Sequence, residues 1–119
     1  MISVRFVSVR GAAVVASVAL CASFVHGPAE AGDAKAGHAK ADKCAVCHGL
    51  DGLSKIAEAP NLAGQNERYL VAQLGAFQTG VRNNEMMSIV IKDLSPTDIE
   101  DLAAYYSGIE ITVGKIPGQ

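Results

Sequence analysis

The sequence predicts an all-α protein of three to five short helices joined by long loops. Residues 34–41 follow the capping residue Asp33, residues 66–79 repeat apolar side chains at helical spacing, and a further helix begins at Ser95. The segments between these helices are rich in Gly, Pro and Asn, which favour turns and loops.

Residues 1–31 have the layout of a secretory signal peptide. Two arginines and no acidic residue precede an uninterrupted run of apolar or small residues at positions 11–25, and Ala29 and Ala31 form an Ala-x-Ala cleavage pattern. The run is shorter than the ~20 residues that a spanning helix needs, so an uncleaved membrane anchor is the weaker alternative. We therefore expect cleavage after Ala31 and export to the periplasm of a Gram-negative bacterium, with residues 32–119 as the mature domain.

The charge balance of the chain is mildly acidic. The full sequence has 10 basic and 12 acidic residues, and removal of residues 1–31 leaves 8 basic and 11 acidic residues, a formal charge of −3. Because the chain has no stripe of Lys or Arg, nucleic-acid binding is disfavoured.

The first predicted helix runs from Ala34 to about Ala41 and is capped by Asp33. We expect residues 44–48 on its last turn or just beyond it. Residues 57–65 contain Pro and Gly and show no period, which indicates a loop.

Clearer end signals mark the other two helices. Asn66 can cap the middle helix and Gly80 ends it, whereas residues 81–93 are expected to form an irregular loop with at most a short helical turn. The last helix starts with Ser95 as its cap and Pro96 as its first helical residue. The apolar stripes of these two helices are Leu70, Leu74 and Phe77, and Ile99, Leu102 and Tyr106.

Two cysteines and a histidine stand together in the segment KCAVCHG, residues 43–49. Once export removes Cys21, Cys44 and Cys47 are the only cysteines left, in an oxidising compartment. A thioredoxin-like dithiol would follow a β-strand, and a closed zinc site would need four ligands, for which the adjacent Cys47 and His48 make a poor pair. A disulfide between the two cysteines would close a very small loop and leave His48 unexplained.

Covalent haem attachment explains all three residues and their spacing. Each thiol adds to one vinyl group on the same edge of the macrocycle, and His48 projects its imidazole toward the iron. The porphyrin also supplies the large apolar centre that a small chain with no Trp and 5% aromatic residues lacks. The residues expected to line it are Leu62, Tyr69, Leu70, Leu74, Phe77, Ile89 and Leu102.

A second iron ligand is needed if the protein is to transfer electrons. His38 lies too near the motif to reach the opposite face easily, and His26 leaves with the signal peptide. The remaining candidates are Met86 and Met87, which precede the last helix, although paired methionines are more often core residues than ligands. Methionine opposite histidine raises the reduction potential and keeps the iron six-coordinate.

The mature chain resembles the class I c-type cytochromes, especially the small soluble bacterial ones and the single-haem halves of bacterial dihaem cytochromes. The resemblance rests on the segments AGDAKAGHAKADKCAVCHG, APNLAGQNERYLVAQLGAFQTGVR, MMSIVIKDLS and DIEDLAAYY, which cover nearly all of the chain beyond Ala31. It implies the class I cytochrome c fold around one covalently bound haem c.

The resemblance also implies roles for single residues. Cys44 and Cys47 would carry the thioethers, and His48 would be the proximal iron ligand. Related sequences place the ligand methionine seven residues before the Leu of LS, which selects Met87, with Met86 as the alternative. Two further matches are the Pro60 carbonyl, which would accept a hydrogen bond from the proximal imidazole, and the pair Gly37 and Tyr105, where the first and last helices would cross.

The function that this resemblance implies is one-electron transfer in a respiratory or related chain. No small-molecule substrate and no catalytic residue are expected. The expected partners of the monomer are transiently bound redox proteins, such as a quinol-oxidising complex and a terminal oxidase or reductase. Two alternatives stay open: a haem-bearing subunit of a larger periplasmic dehydrogenase, and a haem protein that binds a gas or peroxide if its methionine ligand is labile.

Overall fold

The computed structural model describes residues 31–118, which form five α-helices joined by loops. The helices are α1 (Ala34–Lys40), α2 (Asp42–His48), α3 (Glu67–Gln78), α4 (Glu85–Val90) and α5 (Pro96–Ser107). No strand occurs in this part of the chain, and the prediction of an all-α protein with three to five helices is confirmed. Within the same residues, no helix combines the length and the hydropathy needed to cross a bilayer. The predicted signal peptide lies outside the described residues except for Ala31.

Side-chain caps fix the starts of four helices. Asp33 Oδ1 accepts hydrogen bonds from two N–H groups in the first turn of α1, and Asn66 and Asn84 cap α3 and α4 in the same way. At α5 the capping box is complete: Ser95 Oγ accepts from the N–H of Asp98 at 3.1 Å, and Asp98 Oδ2 accepts from the N–H of Ser95 at 2.9 Å. The predicted caps Asp33, Asn66 and Ser95 are therefore confirmed.

Two local features differ from the sequence prediction. The chain bends at Ala41 and restarts as α2, so that Cys44 and His48 stand on a helix of their own instead of on the end of the first helix. Ala41 is fully buried against the core, and this tertiary contact gives no Gly or Pro signal in the sequence. Residues 85–90, for which the sequence predicts a loop with at most a short helical turn, form the six-residue helix α4, and Asn84 supplies its cap.

The helices α1 and α5 cross in direct backbone contact at Gly37. A Cβ atom added at Gly37 would overlap the carbonyl oxygen of Asp101 and lie 2.8 Å from Cβ of Tyr105. Only glycine permits this spacing, and the predicted crossing of Gly37 and Tyr105 is confirmed.

An ion-pair network holds the same two helices together. Lys40 Nζ lies 2.6 Å from Asp98 Oδ1 and 2.6 Å from Asp101 Oδ2. Asp101 is 5% exposed, and its second oxygen accepts a 2.8 Å hydrogen bond from the N–H of Asp33. The hydrogen bonds from Lys40 are the main cause that lowers the pKa of both carboxyl groups, so both stay ionised at neutral pH.

The core lies where the α1–α2 junction, α3 and α5 meet. Its buried centre consists of Ala41, Leu70, Leu102, Ala103 and Tyr106. The stripe predicted on α5 is buried in full, and Leu70 and Phe77 are buried on α3. The apolar faces of α3 and α5 extend beyond this centre toward α2, and the functional site lies there.

We predict that Gly37→Ala lowers the free energy of unfolding by about 1–3 kcal/mol, because the added methyl group must push α5 away from α1. The matched control is Gly75→Ala on α3, where an added Cβ has no neighbour within 4 Å. This control should raise stability by about 0.5–1 kcal/mol through helix propensity. Urea unfolding followed by circular dichroism measures both, and effects of the same sign would contradict the crossing geometry.

Candidate functional site

A cavity of about 420 Å³ opens between α2, α3, α5 and the loop that contains Pro60. Its volume lies within the range of roughly 300–1,000 Å³ that is typical of pockets for cofactor-sized ligands. Most of its wall is apolar. Six of the seven residues predicted to line a porphyrin are in this wall: Leu62, Tyr69, Leu70, Leu74, Phe77 and Leu102.

The helix α2 brings both thiols and the imidazole to the cavity wall. Cys44 and Cys47 are three residues apart and His48 is four residues after Cys44, so the three side chains share one face of the helix. The two thiols are free, and burial raises the pKa of the Cys44 thiol, which keeps it protonated at neutral pH.

His48 is buried and its ring is oriented by the loop. Its Nδ1 lies 2.9 Å from the carbonyl oxygen of Pro60. Because a carbonyl oxygen can only accept, Nδ1 carries a proton, and in the neutral form of the ring the lone pair is then at Nε2. No hydrogen bond among the described residues uses Nε2, and a neutral imidazole held in this way is a typical metal ligand. The predicted contact between Pro60 and His48 is confirmed.

The loop that carries Pro60 is held by its own backbone. The carbonyl oxygen of Gly52 accepts hydrogen bonds from the N–H groups of Leu62 and Ala63, at 2.8 and 3.1 Å. Gly52 has φ 69°, and an added Cβ would lie 2.6 Å from the N atom of Ala63. The sequence predicts only a loop here, because a bond between residues ten positions apart leaves no local pattern.

Both candidate methionines reach the cavity from α4. Met86 is 62% exposed, whereas Met87 is less exposed, and both line the wall. The prediction that Ile89 lines the cavity is wrong: Ile89 is 67% exposed and is absent from the wall. Ile89 lies two residues after Met87, so its side chain points to nearly the opposite face of the helix. Ile91 is the residue that is buried instead, with 1% exposure.

Polar residues at the cavity wall were not predicted from the sequence. Arg82 stacks over the ring of Phe77, 4.5 Å from its centroid, and its Nη1 donates a 2.7 Å hydrogen bond to Gln73 Oε1. His38 takes no part in the site, since it is exposed on α1 and packs edge-on against Tyr105 at a centroid distance of 5.2 Å. Within residues 31–118, no three His, Cys, Asp or Glu side chains are grouped to share a metal ion, as a closed zinc site would require.

The donor set of the cavity matches the chemistry of haem c. Two thiols stand on one wall, the imidazole of His48 stands beside them, and thioether side chains enter from a different helix. The family model for cytochrome c matches residues 29–108. The chain belongs to the cytochrome c family. Its five helices and the helices α1 and α5 crossing at Gly37 form the class I cytochrome c fold.

Relatives of this cytochrome include proteins of different length. Cytochrome c4 of Pseudomonas aeruginosa is 45% identical over 84 residues, which cover 71% of this chain and 42% of that protein. Cytochrome c-554(548) of Halomonas halodenitrificans is 43% identical over 83 residues, covering 67% of this chain and 100% of that protein. The thiosulfate dehydrogenase electron acceptor of Thiomonas intermedia is 43% identical over 72 residues, covering 60% of this chain and 33% of that protein.

A solved structure supports the same family assignment. Reduced recombinant cytochrome c4 from Pseudomonas stutzeri matches with a TM-score of 0.65 at 42% sequence identity, covering 71% of this chain and 49% of that one. The present cytochrome therefore spans less than half of the length of the cytochrome c4 relatives and the full length of the Halomonas relative.

We predict that Gly52→Ala destabilises this cytochrome by at least about 1 kcal/mol more than Gly80→Ala, because overpacking adds to the cost of a positive φ. Both glycines have similar φ values, 69° and 75°, but an added Cβ at Gly80 meets nothing within 4 Å. Gly80→Ala thus isolates the backbone strain. Urea unfolding measures the difference, and equal losses would show that the contact between Gly52 and Ala63 does not hold the loop.

Proposed function

We propose that this cytochrome is a one-electron carrier of the periplasm, with residues 32–119 as its mature domain. One haem c is bound through thioethers at Cys44 and Cys47, and His48 and Met87 are its iron ligands. The observation that carries this proposal is the convergence of the three α2 side chains with Met87 on one apolar cavity, with the imidazole oriented by the Pro60 carbonyl.

The chemistry divides between the cofactor and the chain. When bound, haem supplies an iron that takes one electron from a reduced donor and passes it to an oxidised acceptor. Cys44 and Cys47 would hold the haem, and attachment would require no oxidant because each thiol S–H would add across one vinyl group. His48 offers the Nε2 lone pair, Met87 offers a thioether sulfur, and the apolar wall excludes water from the site.

No residue of the chain needs to act as an acid, a base or a nucleophile in this function. The partners are transiently bound redox proteins, for which we propose a quinol-oxidising complex as donor and a terminal oxidase or reductase as acceptor. Three partly exposed apolar residues of the cavity wall, Ile56, Tyr69 and Met86, provide the kind of small contact surface that suits short-lived electron-transfer complexes.

A second candidate function is that of a haem-bearing subunit or acceptor of a periplasmic dehydrogenase. It is favoured by the similarity to the thiosulfate dehydrogenase electron acceptor of Thiomonas intermedia. The site residues and the one-electron chemistry are the same in both functions. Co-purification with a larger catalytic subunit would favour this candidate, and isolation as a single chain would favour the free carrier.

We predict that the protein purified from the periplasm of an expressing bacterium begins at Gly32 and carries the mass of one haem. Cys21→Ala should leave this mature mass unchanged, because Cys21 lies in the segment that is removed. The double variant Cys44→Ala, Cys47→Ala should lose the covalent haem completely. Intact-mass spectrometry measures all three, and a processed wild-type chain without added porphyrin mass would contradict the proposed function.

We predict that Met87→Ala abolishes the charge-transfer band that a thioether ligand gives to ferric haem, while the haem stays attached. The matched control is the neighbouring residue: Met86→Ala should keep the band. Absorption spectra with and without carbon monoxide measure both variants. The reverse pattern would assign the ligand to Met86, and rapid carbon monoxide binding by the wild-type protein would favour a gas-binding function.

A further inference from the structure

The backbone that leaves His48 is held by a side chain from α5. Leu50 lies two residues after His48, and its carbonyl oxygen accepts a 2.5 Å hydrogen bond from the hydroxyl of Tyr105. The neighbouring Tyr106 hydroxyl lies 3.3 Å from the carbonyl oxygen of Gly49, beyond the usual range of roughly 2.5–3.0 Å for such bonds. Tyr105 therefore makes the shorter contact with this segment.

Tyr105 makes this contact from outside the cavity. It is not among the residues of the cavity wall, so its hydroxyl has no direct contact with the site. Its Cβ faces Gly37 where α1 and α5 cross, and its ring packs edge-on against His38. The position of the hydroxyl is thus set by the most closely packed helix pair of the fold, and side chains on such rigid elements position a site more accurately than loop side chains do.

The segment after His48 depends on the hydrogen bond from Tyr105 because it contains Gly49. Gly49 has φ 77° and ψ 146° directly after His48, a conformation that glycine adopts readily and other residues do not. An added Cβ would overlap Asp51 Oδ1 and the carbonyl oxygen of Leu53. Because glycine also has many other accessible conformations, a fixed point just beyond it restricts the direction in which the backbone leaves His48.

The imidazole of His48 is consequently constrained at two points. Its Nδ1–H donates to the Pro60 carbonyl, and its backbone is tied through Leu50 to Tyr105. The hydrogen bond at Nδ1 fixes the tautomer and raises the basicity of the ligating nitrogen. We propose that Tyr105 is a positioning residue for His48, acting through the carbonyl group of Leu50. This inference rests on the proposed function, in which His48 is the proximal ligand.

The test is Tyr105→Phe in the haem-bearing protein, which keeps the ring at the helix crossing and removes only the hydroxyl. With a looser backbone, the Nδ1 hydrogen bond weakens and the ferrous state is favoured. The ferrous-to-ferric ratio at a fixed potential should rise on the order of threefold, where tenfold corresponds to 59 mV for one electron. The His48 Nδ1 proton should exchange with solvent several-fold faster in proton NMR spectra.

Two control variants separate positioning from a general loss of stability. Ser107→Ala removes another α5 hydroxyl, one that bonds within its own helix to the carbonyl oxygen of Ala104. Ile99→Val loosens the buried face of α5 without touching the loop. Both should keep the wild-type potential and proton exchange. The proposal is overturned if Tyr105→Phe keeps both values, or if Ile99→Val shifts them as far.

The outcome also distinguishes this inference from the proposed function. If wild-type protein carries no haem, the proposed function fails, and the exchange of the His48 Nδ1 proton in the haem-free chain still tests whether Tyr105 holds the ring. Faster exchange in Tyr105→Phe would then support the positioning role, and unchanged exchange would reject it. If the haem is attached and the variant behaves as wild type, only the positioning role fails.

Discussion

The absence of a side chain at Gly37 is the constraint on which the rest of the structure depends. It lets the backbones of α1 and α5 touch, and Lys40 then reaches Asp101 further along the same contact. Because α2 follows α1 after a single bend at the buried Ala41, the crossing also fixes where the cysteines and His48 stand relative to α5. A wider crossing would move the segment that carries Cys44, Cys47 and His48 away from the wall that the last helix provides.

The chain closes only part of its interior with its own side chains. Small residues such as Ala41 and Ala103 pack the junction of α1, α2 and α5, whereas the larger apolar residues of α3, including Leu74 and Phe77, line the cavity. A chain of this size and low aromatic content has few ways to fill such a space. A cofactor joined by two covalent bonds to the cavity wall, as proposed, would satisfy that requirement without depending on a high affinity of its own.

Local signals in the sequence predicted local structure, and the contacts that assemble the site were predicted only in part. The caps Asp33, Asn66 and Ser95 were predicted correctly because a cap acts within three residues. The bend at Ala41 was missed because burial causes it.

Ile89 was wrongly assigned to the cavity because an apolar residue in a short helix does not reveal which way it points. The hydrogen bond from Tyr105 to Leu50 joins residues 55 positions apart, and no periodicity records it. The contact between Pro60 and His48 was available only through the resemblance to a family.

The two sides of the cavity differ in how strongly the chain fixes them, and this difference bears on the choice between an electron carrier and a gas-binding haem protein. On the His48 side, the orientation of His48 is restricted by a loop hydrogen bond, by a glycine turn and by Tyr105 on the closely packed helix pair. On the Met87 side, α4 has only six residues and buries none of them. Regions with little buried apolar surface open at low free-energy cost. Since an electron carrier must keep both iron ligands in both oxidation states, the choice between these two functions would depend on how firmly α4 is held against α3, whereas the His48 side would be the same in either case.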